Sequence, residues 1–296
     1  MTYRISRSII LPAAAFGMAA LLSACDGDSN GSDTGTLSLA VTDAPVDSAR
    51  AVYVDFTGVT LQPASGQRIE FDFEDARRID LLELQGGVSK ALLDGETVPA
   101  GAYSWMRLKL ADTPGYIELD TGDTYPLWVP SGAQTGLKLQ RGFTVPVNGH
   151  ADFTIDFDLR KSVLNPGNGS DDYRLRPTLR LVDNTEVGAI AGEVFSERLT
   201  DDSCDPENAV NVVYIFDGRD VEPTDLGSEP GPLTTASVRE DGTNSYHAAF
   251  LPAGEYTVAF TCRGELDDPE VAGDELSFQG VQAATVQAGE TTTVDF

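Results

Sequence analysis

Period-two alternation constrains this chain more than any other feature. Between His150 and Leu159, Ala151, Phe153, Ile155, Phe157 and Leu159 fall on one side, and His150, Asp152, Thr154, Asp156 and Asp158 on the other. Side chains alternate across a strand, so this is the pattern of a strand with one buried face, whereas a 3.6-residue period would scatter both sets. The same reading gives strands at Leu37 to Val41, Ala51 to Leu61, Ile69 to Phe73, Ser104 to Leu110, Tyr116 to Leu119, Thr124 to Val129 and Arg174 to Val182. After Asn184 it gives Ala189 to Glu197, Val210 to Phe216, Thr234 to Arg239, Ser245 to Phe250, Tyr256 to Cys262, Leu276 to Val286 and Thr291 to Phe296. With 29 Gly and 16 Pro marking turns, the one helical turn read in the first half is near Ile79 to Leu84. The expectation is an all-β chain of two β-sandwiches in tandem, residues 36–184 and 187–296, behind a leader (1–24) and a tether (25–35).

Both halves carry one local device. Val98, Pro99, Ala100, Gly101 and Tyr103 read V-P-A-G-x-Y, and Leu251, Pro252, Ala253, Gly254 and Tyr256 read L-P-A-G-x-Y. Proline fixes φ and glycine permits a tight turn, so each should feed a strand whose tyrosine covers the sandwich end. Trp105 follows Tyr103 by two positions and is expected on the same, buried face.

The first residues give the address. Arg4 and Arg7 precede an apolar stretch from Ile9 to Leu22, the layout of a secretory signal. About fourteen residues at ~1.5 Å rise reach only ~21 Å, short of a ~30 Å hydrocarbon core, which favours a removed leader over a span. Leu22, Ser23, Ala24 and Cys25 read L-S-A-C and resemble the bacterial lipobox, whose cysteine takes a diacylglyceryl group and becomes the new N-terminus. The resemblance implies a membrane partner through lipidated Cys25. Asp26 follows it, resembling an enterobacterial inner-membrane retention signal, and the choice of membrane stays open. Asp26 to Gly35 contains no apolar residue and reads as a flexible tether. Asp26, Asp28, Asn30 and Gly31 match the opening of an EF-hand loop, but Leu37 stands where the bidentate Glu belongs and no helix flanks it, so no metal is assigned.

Charge then narrows the partners. Asp and Glu number 47 against 20 Lys and Arg, a net charge of −27, which excludes nucleic acid. Loss of Arg4 and Arg7 leaves 18 bases against the same 47 acids, or −29. Such a surface is repelled by anionic lipid over a Debye length of ~8 Å, so attachment should depend on the acyl chains.

Candidate chemistry is sparse. No G-x-S-x-G elbow, H-E-x-x-H pair or zinc-spaced Cys/His cluster occurs, and His150 and His247 are single histidines in strand patterns, so no enzyme and no cofactor are expected. Asp152, Asp156 and Asp158 share a strand face and could bridge a cation; the competing reading is a solvated ion-pair face opposite Arg174, Arg176 and Arg180 across an antiparallel hairpin. Asp43 is a candidate ligand or a turn fastener, and Tyr125 and Trp128 form an aromatic segment that could stack on a sugar or pack in the core. Cys204 and Cys262 are the thiols left once Cys25 is acylated, in an oxidising compartment, and are expected to pair rather than stay free, closing a loop worth ~4 kcal/mol.

V-T-D-A-P around Asp43, I-D-L-L-E-L at Ile79 to Leu84, V-P-A-G-A-Y, D-F-D-L-R-K-S-V from Asp156 to Val163, and L-R-P-T-L-R-L-V from Leu175 to Val182 occur in order. Together they resemble the lipoprotein family carrying domain of unknown function 4382, over about residues 36 to 184. The resemblance implies an exported, lipid-anchored β-sandwich without established activity. L-P-A-G-E-Y-T-V makes the second half similar to prealbumin-like modules, including carboxypeptidase regulatory-like domains. The expected protein is a lipid-anchored cell-envelope component, facing periplasm or cell surface, that binds or builds without catalysis. Its partner would be an envelope protein or a glycan. The alternatives are a fimbrillin-like or adhesive surface subunit and a carbohydrate- or calcium-dependent binder.

Overall fold

The computed structural model describes residues 33–44, 49–130, 135–164, 173–205 and 207–296. The lipobox, Cys25 and most of the tether lie outside them. The first set of strands is β1 (Thr34–Ala44), β2 (Ala49–Pro63), β3 (Ile69–Asp80), β4 (Lys90–Pro99), β5 (Gly101–Leu110), β6 (Gly115–Leu119) and β7 (Thr124–Trp128). It continues with β8 (Leu137–Leu139), β9 (Phe143–Val145), β10 (His150–Asp158), β11 (Val163–Leu164), β12 (Tyr173–Leu175) and β13 (Leu179–Asp183). The second set is β14 (Val187–Glu193), β15 (Val212–Asp217), β16 (Thr234–Ser237), β17 (Ser245–Pro252), β18 (Gly254–Thr261), β19 (Gln279–Val286) and β20 (Thr291–Thr293).

Each set closes its own sandwich. One sheet runs β13-β10-β1-β4 and faces a nine-stranded sheet, β11-β12-β7-β6-β2-β5-β8 with β3 on β2 and β9 on β5; the second pair is β17-β14-β20 and β16-β15-β18-β19. Leu37, Leu39 and Val41 of β1 and Phe153, Ile155 and Phe157 of β10 supply the first core; Ile190, Val213, Ile215, Val258 and Phe260 supply the second, and Val212, Tyr214, Phe216, Leu226 and Ala259 form a smaller cluster on the other face of β15 and β18. The alternation is thus converted into buried faces as expected, and Asp33–Phe296 forms one compact unit. Helical structure near Ile79 is one 3-10 turn, Leu81–Leu84, capped by the Asp80 carboxylate accepting from Leu82 N–H at 3.1 Å.

The two sandwiches repeat one wiring. In the first, β1 pairs antiparallel with β4 and parallel with β10, while β2 pairs antiparallel with β3 and β5, and β5 with β9. In the second, β14 pairs antiparallel with β17 and parallel with β20, while β15 pairs antiparallel with β16 and β18, and β18 with β19. The shared turn sits at the same place in both, where β4 passes to β5 and β17 to β18 between facing sheets. Tyr103 Oη donates to the Pro99 carbonyl and Tyr256 Oη to the Pro252 carbonyl, each at 2.7 Å and each four residues back. The corner alanines match as well: Ala100 N–H donates to Asp33 O and Ala253 N–H to Glu186 O, both immediately before the first strand of their sandwich. Gly101 needs its freedom, at φ +130°; Gly254 has an ordinary φ.

Two expected features differ. Trp105 is half-buried on the outer face, not beside Tyr103 in the core, because the β2–β5 register shifts between Gln62/Trp105 and Pro63/Tyr103, and a bulge inverts the phase of the strand. The run Arg174 to Val182 is broken at Pro177 into β12, which joins the nine-stranded sheet, and β13, which joins the other. Proline lacks the N–H that a continuous ladder would need.

The corners are equivalent, so Tyr103→Phe and Tyr256→Phe should each destabilise by about 1 kcal/mol, the usual worth of one hydrogen bond, and the double variant by about 2 kcal/mol because the sites are distant. Urea unfolding of the chain measures this; an unshifted midpoint in either single variant would show that the corner bond does not hold the sheets together.

Candidate functional site

The acidic face of β10 leads to the site. Asp156 lies opposite Arg180 of β13 in register, and its Oδ2 accepts from Arg180 Nη2 at 2.5 Å and Nε at 3.1 Å. Asp158 ends the strand and caps one helical turn, Leu159–Ser162, by accepting from Lys161 N–H at 3.2 Å. Ser162 Oγ donates back to the Asp158 carbonyl at 2.5 Å and accepts from Thr178 N–H at 2.8 Å, tying the turn to the residues before β13. Asp152, at the other end of β10, accepts from Asn184 Nδ2 at 2.9 Å.

This overturns the expected solvated face. Asp156 and Asp158 are buried, Asp152 is half-buried, and of the three arginines only Arg180 meets the row. Arg174 is exposed on β12, and Arg176 lies 4.0 Å from Glu270. The face is buried because the second sandwich packs near its end, which alternation within one strand cannot reveal.

The helical turn redirects the chain, and its two cations cross to the second sandwich. Arg160, 5% exposed, donates from Nη1 to Tyr214 Oη at 3.0 Å and from Nη2 to the Gly264 carbonyl at 2.9 Å. Tyr214 Oη in turn donates to Asp267 Oδ2, and Asp267 Oδ1 accepts from Leu226 N–H at 3.0 Å. Lys161 Nζ donates to the Pro232 carbonyl at 2.6 Å. A separate contact pairs His247 Nδ1 with the Gly86 carbonyl at 2.7 Å. Beside the His247–Gly86 contact lies a cavity of ≈ 20 Å³, lined by Thr42, Asp43, Asp156, Thr235 and His247, a volume that suits one water rather than a ligand. Arg160, Lys161, Tyr214 and Asp267 were not among the residues expected to matter. Their signal was the phase break after Asp158, where L-R-K-S abandons the alternation.

Burial dominates the electrostatics. It pushes the Asp158 carboxyl up to about 6, with Lys161 pulling against it, and raises Asp156 against the pull of Arg180. Asp267 is raised by burial despite the Tyr214 hydroxyl, and burial raises the Tyr214 phenol. On exposed turns the opposite holds: hydrogen bonds from Ser203 and Thr243 keep Asp201 and Asp241 below the usual carboxylate range.

The remaining expected residues do not converge on this junction. Asp43 is buried on the cavity wall beside Thr42, whose Oγ1 donates to Leu84 O at 3.0 Å and Val88 O at 2.7 Å. Tyr125 is half-buried against the Tyr173 ring at 5.3 Å, while Trp128 is 49% exposed. Cys204 and Cys262 form a disulfide, with Cys262 in the second core. Among the described residues, no group of three or more His, Cys, Asp or Glu could hold a metal, and no helix is long and apolar enough to cross a membrane.

Asp158 makes stability pH-dependent. Its folded pKa lies above the unfolded value near 3.9, so the stabilisation is full below about pH 4 and is lost as pH rises through about 6, a change of about 3 kcal/mol. The chain should therefore gain stability on acidification from pH 7 to 5, with Asp156 and Asp267 acting in the same direction, and Asp158→Asn should lower that slope while keeping the cap. Thermal melts from pH 7 to 5 measure it; an equal slope in the variant would place the dependence elsewhere.

The family of the first sandwich follows from comparison with known proteins. Residues 34–177 match the family described as Domain of unknown function (DUF4382). A search of curated proteins finds no match to the chain. Among solved structures, the chain is similar to the Bacillus anthracis TIE protein at 12% identity and TM-score 0.21, covering 89% of this chain and 34% of that one. A leucine-rich repeat protein from Bacteroides thetaiotaomicron gives 11% and 0.19, over 90% of this chain and 26% of that one. The chain thus spans about a third or less of the length of these two. GBS52, the minor pilin of Streptococcus agalactiae, gives 11% and 0.21, over 88% of this chain and 94% of that one. At such scores whole chains do not superpose as one fold. The first sandwich, with its D-F-D-L-R-K-S-V junction, is thus similar to the DUF4382 family over residues 34–177.

Proposed function

We propose that the chain is a cell-envelope lipoprotein, held to its membrane by acyl chains on Cys25, that acts as a non-enzymatic binding or structural module. The observation that carries the reading is L-S-A-C at Leu22 to Cys25, behind an apolar leader and separated by seven residues from Asp33, where the compact unit opens. The chemistry of the junction supports a scaffold: its buried carboxylates, guanidinium and phenol are committed to one another, and its cavity admits about one water. The partner is an envelope protein or a glycan. Trp128, 49% exposed on β7, favours the glycan, since an exposed indole suits a sugar ring.

Metabolic labelling with a palmitate analogue tests the anchor. The wild-type chain should be labelled and remain with membranes, and Cys25→Ser should lose both the label and most of the membrane association, because a surface of −29 has no electrostatic attraction to anionic lipid. An unlabelled wild type, or a variant that stays membrane-bound, would refute the reading.

A further inference from the structure

In a chain with more than twice as many acids as bases, one surface is basic without acidic compensation. It lies between two sheet margins, β8 of the nine-stranded sheet and β13 of the four-stranded sheet. There a groove of ≈ 270 Å³ is lined by Lys138, Gln140, Arg141, Pro177, Leu179 and Arg180 among others, none of them acidic. Arg180 is held by Asp156. Lys138 and Arg141 are exposed, and neither has a carboxylate partner among the described residues; Arg141 Nη1 donates across the groove to the Leu181 carbonyl at 2.8 Å.

Within the fold this cluster, Arg180 aside, meets only an aromatic ring and a backbone carbonyl, with no carboxylate among the described residues. Lys138 of β8 sits directly opposite Arg107 of β5, a like-charge cross-strand pair of the kind that destabilises a sheet. Both cations lie over Trp105, at 4.7 Å (Lys138 Nζ) and 5.1 Å (Arg107 Cζ) from the ring centre. Gly136, at φ +59°, lets the chain into β8 pass so close that a Cβ there would stand 2.3 Å from Leu108 O and 3.0 Å from the Arg107 stem. An arrangement that costs stability and leaves cations open fits a site whose missing partner is an anion.

We infer that this groove binds a uronate-bearing oligosaccharide, its carboxylate on the fork of Arg141 and on Lys138, with the exposed part of Trp105 against a sugar ring. The net charge of −27 repels densely charged polymers, which favours a glycan whose carboxylates are spaced apart by neutral sugars over a polyanion. The inference deepens the proposed binding function and rests on it.

Calorimetric titration of the full-length chain in detergent with a hyaluronan tetrasaccharide tests it, beside the same oligosaccharide with its carboxyls reduced and a tetraglutamate peptide. The acidic sugar should bind, with at least tenfold weaker binding of both comparison ligands. Lys138→Gln with Arg141→Gln, with the fold verified by circular dichroism, should weaken it at least tenfold, and Trp105→Leu severalfold. No binding, equal binding of the reduced sugar or of the peptide, or an unaffected double variant would each overturn the site. Such failures in a chain still labelled at Cys25 would remove this ligand and leave the envelope reading standing, whereas loss of labelling would remove that reading independently.

Discussion

The architecture turns on one buried guanidinium. Arg160 leaves water almost entirely, and a charge so placed is tolerable only where hydrogen bonds replace its hydration. Two come from the other sandwich, the Tyr214 hydroxyl and the Gly264 carbonyl, and Tyr214 is fixed in turn by Asp267. Delivering Arg160 there requires β10 to stop at Asp158 and turn sharply. The Asp158 cap and the Ser162 bonds stabilise that turn, while Asp156 holds Arg180 beside it. Residues 156–163, the most distinctive motif of the first sandwich, therefore act as a fastener between two separate cores. A polar junction of this kind fixes one mutual arrangement more tightly than a flat apolar contact would, because any slip leaves charges unpaired.

Much of this was legible in alternation alone. β10 was readable residue by residue, and the P-A-G-x-Y turns located both tyrosine corners, because proline, glycine and a strand-entry tyrosine act within a few residues of one another. The errors have a common cause. Asp156 and Asp158 read as a wet face, since whether a polar face meets water depends on residues more than fifty positions away, such as Tyr214. Trp105 was assigned to the core because a bulge shifts phase without a local signature. The parallel pairing of β1 with β10 joins segments about 115 residues apart and leaves no turn signal to read. The repeated wiring of the two sandwiches explains why one short motif could stand for a shared architecture.

Charge acquires a geography from the structure. Acids dominate the exposed turns, where Asp201, Asp205 and Asp241 accept from nearby N–H and hydroxyl groups. Of the buried acids, Asp156 holds Arg180 near the junction and Asp55 of β2 holds Arg78, while Lys138 and Arg141 have no carboxylate partner among the described residues.

If the Arg160 bridge couples the sandwiches, differential scanning calorimetry of the chain should show Asp33–Phe296 melting in one transition, with equal calorimetric and van't Hoff enthalpies. Arg160→Gln should split that peak into two, one per core. Two separate transitions in the wild type, or a single unsplit peak in the variant, would contradict the claim that this one buried cation unites the fold.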